Sequence, residues 1–224
     1  MLAACAQAGQ GQPVDADTGQ PIDARTGGPA DARADGMTVS PPDARPDAYQ
    51  CTPMARQLLV NPVFDLDANG TGWTQQLIDP AGPLITGDGI PEHSAPYEVW
   101  LGGLIGLDYG VQTVTDVIYQ DVAIPAGTTQ LVLTGQYAVG TDESGGLVYD
   151  TASVELIQTN GTPIESVIAL NNTTTTANWV PLSKTFTSNV AGQTVRLRMT
   201  STNDDIYATS FFFDTFALTA TVCQ

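Results

Sequence analysis

Thr194-Val195-Arg196-Leu197-Arg198-Met199-Thr200-Ser201 alternates without a break, with Val195, Leu197 and Met199 on one side and Arg196, Arg198 and Thr200 on the other. Successive side chains of a strand point to opposite faces, so the run reads as a half-buried β-strand with a charged outer face. Val154 and Leu156, opposed by Ser153 and Glu155, repeat the pattern. Working outward, β-rich runs occupy 56–60, 72–78, 97–102, 117–124, 130–138, 149–158, 163–170, 179–187, 194–201 and 207–221. Turn chemistry separates them at Asn69-Gly70, Gly87-Asp88-Gly89, Pro125-Ala126-Gly127, Ser144-Gly145-Gly146, Asn160-Gly161 and Ala191-Gly192. No segment carries a helical stripe. Regularly spaced short strands predict an all-β fold, an antiparallel two-sheet β-sandwich. In the last run Phe211 and Phe213 share one face, while Phe212, Asp214, Phe216 and Leu218 share the other. Two apolar faces place that strand at the centre of a sheet or along a groove.

The chain divides near residue 50. Residues 6–50 are almost all Ala, Asp, Gly, Pro, Gln, Thr and Arg, and Asp-Ala-Arg recurs at Asp23, Asp31 and Asp43. Such a stretch buries too little apolar surface to offset its ordering entropy, which predicts a disordered, partly polyproline-II spacer. The expected organisation is therefore 1–5, the remnant of an export signal; 6–50, the spacer; and 51–224, one sandwich domain.

The 224 residues carry 24 acids against 7 bases, a formal net charge of −17. Nucleic-acid binding rests on Lys and Arg, so DNA and RNA are excluded as expected partners. The single histidine, His93, excludes a His-rich metal centre. No run of 18 apolar residues is present to cross a membrane as a helix.

The three cysteines are Cys5, Cys51 and Cys223. Cys51 and Cys223 bracket the predicted domain, so a disulfide between them would clasp its ends; two free thiols are the alternative. Leu2-Ala3-Ala4-Cys5 resembles a bacterial lipobox, which implies cleavage before Cys5 and lipidation of its thiol, although the basic and most of the apolar part of a signal peptide are missing. That resemblance implies an exported protein, anchored by lipid to the bacterial outer membrane or cell surface.

Asn61-Pro62-Val63-Phe64-Asp65 followed by Gly72-Trp73 is similar to the opening of galactose-binding-like, carbohydrate-binding-module jelly rolls. Val99-Trp100-Leu101-Gly102-Gly103, Ile118-Tyr119-Gln120-Asp121-Val122, Ile124-Pro125-Ala126-Gly127, Gly192-Gln193-Thr194-Val195-Arg196-Leu197 and Phe212-Phe213-Asp214 resemble, in that order, a sandwich module appended to secreted bacterial peptidases. The resemblance implies a jelly roll and a non-catalytic binding or accessory domain, with carbohydrate the leading ligand class. Asp65 stands where the family has Glu, and Thr215 replaces a second acid after Asp214. A structural and adhesive protein with an envelope-protein partner, and a hydrolase with an unrecognised site, are the alternatives.

Sugar recognition uses aromatic faces for stacking and planar polar side chains for hydroxyls, which makes Trp100, Tyr137, Tyr149, Arg196 and Arg198 the candidate ligand-binding residues. Core packing, and pairing of the arginines with acids, is the alternative for each. Trp73 and Trp179 are expected in the core. Asp65-Leu66-Asp67-Ala68-Asn69-Gly70 fits the first half of a calcium loop, although Gln76 stands where an EF-hand has Glu. The resemblance places a structural calcium between the opening and last strands, so Asp65, Asp67, Asn69 and Asp214 are the candidate Ca²⁺ ligands; a solvated turn with Asp214 hydrogen-bonded is the alternative. Asp142, Glu143, Asp150, Asp204 and Asp205 read as solvated loop acids. Catalytic residues are not expected: His93 and Ser94 are adjacent, which no triad geometry allows, and no Gly-x-Ser-x-Gly elbow is present.

Overall fold

The computed structural model describes residues 51–79 and 82–223. Cys5, the lipobox-like tetrapeptide and the proposed spacer lie outside the described residues. Eleven strands and one helical turn follow in order: β1 (Pro53–Gln57), β2 (Thr74–Gln76), β3 (Ile85–Thr86), β4 (Glu98–Gly102), α1 (Gly106–Tyr109), β5 (Val114–Ala123), β6 (Thr128–Thr141), β7 (Thr151–Gln158), β8 (Pro163–Asn171), β9 (Val180–Thr185), β10 (Thr194–Asn203) and β11 (Thr209–Cys223).

The first sheet runs β3-β4-β11-β6-β9, with β1 on the far end of β11; the second runs β2-β5-β10-β7-β8. All pairs are antiparallel. The pairs β7/β8, β6/β9, β5/β10 and β4/β11 nest around one point, as in a single long hairpin. Its tip is Asn160-Gly161, where Gly161 sits at φ +94° and its amide donates to the Gln158 carbonyl at 2.9 Å. Successive pairs along that hairpin alternate between the two sheets, which is the winding of a jelly roll.

The alternation at 194–201 holds. Val195, Leu197 and Met199 are fully buried between the sheets. With Ile118, Val154, Leu156, Leu133, Phe211, Phe213 and Phe216 they form one continuous core. Trp73 belongs to it as expected, its ring 5.1 Å from that of Phe64 and its Nε1 donating to the Asn61 carbonyl at 2.9 Å.

The face assignment within β11 changes part-way along. Asp214 pairs with Gln136 but Ala217 pairs with Thr134, so an extra residue stands on β11, and Thr215 adopts φ +54°. This bulge reverses the phase. Phe211 and Phe213 point into the core before it, and Phe216, Leu218 and Ala220 do so after it. Phe212 and Asp214 therefore do not share a face with Phe216 and Leu218; they point outward from the first sheet.

Cys51 and Cys223 form the disulfide, with Cα atoms 5.1 Å apart, and β1 pairs with β11 from Pro53↔Cys223 to Gln57↔Thr219.

Candidate functional site

The outer face of the first sheet is built from β4 and β11. Trp100 and Phe212 are direct partners in register, and their rings lie 5.6 Å apart at 33°. On the other side Phe212 faces Ala138 of β6, whose small side chain leaves room above it. The 87–97 segment crosses over this face. Gly89 is at its closest approach, at φ +114°, where a Cβ would come within 2.7 Å of the Phe212 ring and 3.3 Å of the Trp100 ring. Only glycine lets the backbone pass there.

Three adjoining clefts result. One of about 410 Å³ lies between Gly89, Trp100, Thr141, Asp142, Ser210 and Phe212. A second of about 290 Å³ is bounded by Ile90, Ala138, Thr176, Asn178, Trp179 and Phe212. A third of about 210 Å³ lies beyond Trp100, against Leu77, Thr86, Asp88 and Asp116. They share Trp100 and Gly103 on one side and Ile90, Gly140 and Phe212 on the other, and so form one trough. Trp179 is not a core residue as expected. It lines the trough, and its Nε1 donates to the Pro91 carbonyl at 2.9 Å.

The structure does not gather the five sequence-derived ligand residues into one site. Trp100 alone lines the trough. Arg196 and Arg198 lie on the outer face of the second sheet and are paired there. Arg196 donates to both oxygens of Asp121, at 2.6 and 3.0 Å, and its guanidinium lies 3.7 Å over the Tyr119 ring. Arg198 donates to Glu155 at 2.7 Å. Both acids are cross-strand partners of their arginines, so register satisfies the guanidiniums. Tyr137 packs against the core, and Tyr149 is exposed beside the end of β7.

Beneath the 87–97 segment two carboxyls are fully buried, Glu98 and Asp214. Asp214 accepts from the Ser94 amide at 2.6 Å and from the Thr215 amide, while the Ser94 hydroxyl donates to Asp65 at 2.7 Å. Burial is the main cause that pushes Asp214 up to about 6, opposed by the Ser94 and Thr215 amides and assisted by the charge of Asp65. Burial pushes Glu98 further, to about 8, with the charges of Asp214 and Glu92 adding to it. The Ile90 amide pulls the other way, but its geometry falls short of a hydrogen bond to either Glu98 oxygen.

An acid whose folded pKa is raised binds its proton more tightly when folded, so its contribution is full below the unfolded value and is lost as pH rises through the folded one. The thermal midpoint is therefore expected to fall between pH 5 and 8. Glu98→Gln should flatten that slope, and circular-dichroism melts across the range check it; an unchanged slope would place the titration elsewhere.

The expected calcium set does not converge. Asp65 and Asp214 are brought together through Ser94, but Asp67 caps its own turn through the Thr71 amide and hydroxyl. The Asn69 backbone carbonyl, not its side chain, accepts from Gln75. Among the described residues the one group of three carboxylates that can hold a metal ion is Glu143, Asp150 and Asp204, with oxygens within 4.8 Å of one another. Asp150 is not a solvated loop acid. It is fully buried and accepts from the Asp204 amide at 2.8 Å and the Thr209 hydroxyl at 2.6 Å.

No family model matches the chain, and no curated protein matches it. Among solved structures, TmCBM61 in complex with β-1,4-galactotriose is 16% identical, covering 73% of this chain and 97% of that one with a TM-score of 0.46. TmCBM27, a carbohydrate-binding module that recognises mannan, is 10% identical, covering 76% and 98% with a TM-score of 0.43. The CBM22-1 xylan-binding domain from Paenibacillus barcinonensis Xyn10C is 17% identical, covering 75% and 93% with a TM-score of 0.39. Overlaps of this size report a likeness; the jelly-roll assignment rests on the strand order.

Proposed function

We propose that residues 51–224 form a non-catalytic carbohydrate-binding domain whose ligand lies in the trough on the outer face of the first sheet. The observation that carries this reading is the aromatic lining. Trp100 against Phe212 and Trp179 beyond them offer apolar surface to the C–H faces of sugar rings, with Ser210, Thr141 and Asn178 nearby for hydroxyls. Trp100→Ala is expected to weaken glycan binding at least tenfold, the loss of an aromatic anchor. Glycan-array and calorimetric titration of the wild type and the variant check this, and equal binding by the two would remove the trough from the reading.

Adhesion to an envelope protein is the second reading. Leu147, Val148 and Tyr149 are exposed together with Ile206 and Tyr207, on two segments tied by the bond from the Asp204 amide to Asp150. Capture of an envelope protein that is lost on Tyr207→Ser and kept on Trp100→Ala would favour it.

Calcium, as a structural ion, is proposed at Glu143, Asp150 and Asp204, because an oxygen-only donor set suits it. Calcium should raise the thermal midpoint and a chelator should reverse the rise; identical midpoints would remove the ion. Export and lipid anchoring through Cys5 are proposed with it. The Cys51–Cys223 bridge supports an oxidising compartment. Cys5→Ser is expected to release the protein from the membrane fraction.

A further inference from the structure

The proposed glycan site has a charge character that narrows its ligand, an inference that rests on that reading. Asp88 and Asp116 line one end of the trough, and Asp142 lines the middle. None of the described residues lining the three clefts is Lys, Arg or His. The four bases of residues 51–224 are committed elsewhere. Arg56 is in β1, Lys184 lies 3.2 Å from Glu165, and Arg196 and Arg198 hold Asp121 and Glu155 across the second sheet. His93 stands edge-on to Trp179, 6.0 Å between ring centres, outside the lining.

Carboxylates and sulfates on a sugar are recognised by Arg and Lys, above all by the bidentate guanidinium. Here such a group would meet neutral donors such as the Ser210 and Thr141 hydroxyls but no cation, and the charged side chains in the lining are all acids, in a domain of strongly negative net charge. Asp116 adds a specific demand. It is 2% exposed and accepts from the Gly102 amide through Oδ2 at 3.0 Å; the Ile78 amide also pulls on the carboxylate, but Oδ1 makes no hydrogen bond of full geometry. A buried acceptor left open is costly, and a donor relieves it where a second acceptor cannot.

We infer that the trough selects uncharged or amine-bearing sugars and rejects those carrying uronate or sulfate. The ligand offers hydroxyl or ammonium donors to Asp88, Asp116 and Asp142, while Trp100, backed by the buried Phe212, stacks on its rings.

The test uses the full chain on a printed array of uncharged, uronate- or sulfate-bearing, and free-amine oligosaccharides, at low and high salt, with Trp100→Ala alongside. Uncharged and amine-bearing glycans should bind at least tenfold more tightly than acidic ones of the same backbone. The gap should narrow in high salt and in the Asp88→Asn/Asp142→Asn variant, where the ratio of the two affinities is the readout. Acidic glycans binding as tightly as uncharged ones, and losing that binding in Trp100→Ala, would overturn this inference while leaving the glycan site in place. Binding of no class, or binding indifferent to Trp100→Ala, would overturn the glycan reading and this inference with it.

Discussion

Replacing Cys51 and Cys223 together by serine is expected to lower the thermal midpoint by roughly 10–20 °C, the equivalent of roughly 5 kcal/mol for closure of so long a loop. The effect is large because β1 has little else to hold it. All five of its side chains are exposed, so its attachment to β11 rests on the backbone ladder and the bridge. The Gln57 side chain continues the clasp, its Oε1 accepting from the Leu58, Leu59 and Leu218 amides at 2.8, 3.1 and 3.0 Å. Scanning calorimetry with and without reductant should reproduce the mutant's shift in the wild type. A change of only a degree or two would mean that the ladder suffices alone.

Phe216→Ala is expected to cost about 3–5 kcal/mol, the range for emptying a large aromatic site in a core. Phe216 is the first core residue after the β11 bulge, 1% exposed, with ring centres 6.1 Å from both Phe64 and Phe213. Gly135 on β6 makes room for it, since a Cβ there would fall 2.1 Å from Phe216 Cδ1. Gly135→Ala should therefore also destabilise, by overpacking instead of a cavity. Phe212→Ala is the contrast. Its ring lies on the other side of the sheet, so it should cost less stability and lose glycan binding instead. Urea denaturation of the three variants checks the ordering. Equal losses for Phe212→Ala and Phe216→Ala, with binding intact, would contradict the phase reversal.

Much of the architecture is legible from local chemistry. The alternation of Val195, Leu197 and Met199 follows from the pleat, the hairpin tip from Asn160-Gly161, and the clasp from cysteines placed at both ends of the domain. What fails does so where information is non-local or too short to carry a period. The bulge at Thr215 cannot be counted through with a period of two, and a period of two puts Phe212 and Asp214 on the face of Phe216 and Leu218. Asp121 and Glu155 neutralise the arginines only through register between strands, across sequence separations of 75 for Arg196–Asp121 and 43 for Arg198–Glu155. Trp73 and Trp179 each stand immediately before a strand, yet one belongs to the core and the other lines the trough. Burial of Asp150 depends on amides and hydroxyls from the 204–209 turn. β3 spans two residues and α1 four, too few for any repeat to register. The strand expected at 56–60 pairs instead at Pro53–Gln57, because the disulfide and β11 fix its register while Gln120 holds the Val60 backbone at 2.8 and 2.9 Å.

The most direct test is a two-dimensional NMR titration with the uncharged oligosaccharide that binds best on the array, following the indole N–H signals of all three tryptophans and the Nε–H signals of Arg196 and Arg198. The trough reading predicts saturable shifts at Trp100 and Trp179, with Trp73 and both arginines still. Shifts confined to Arg196 and Arg198 would put the ligand on the second sheet and contradict it.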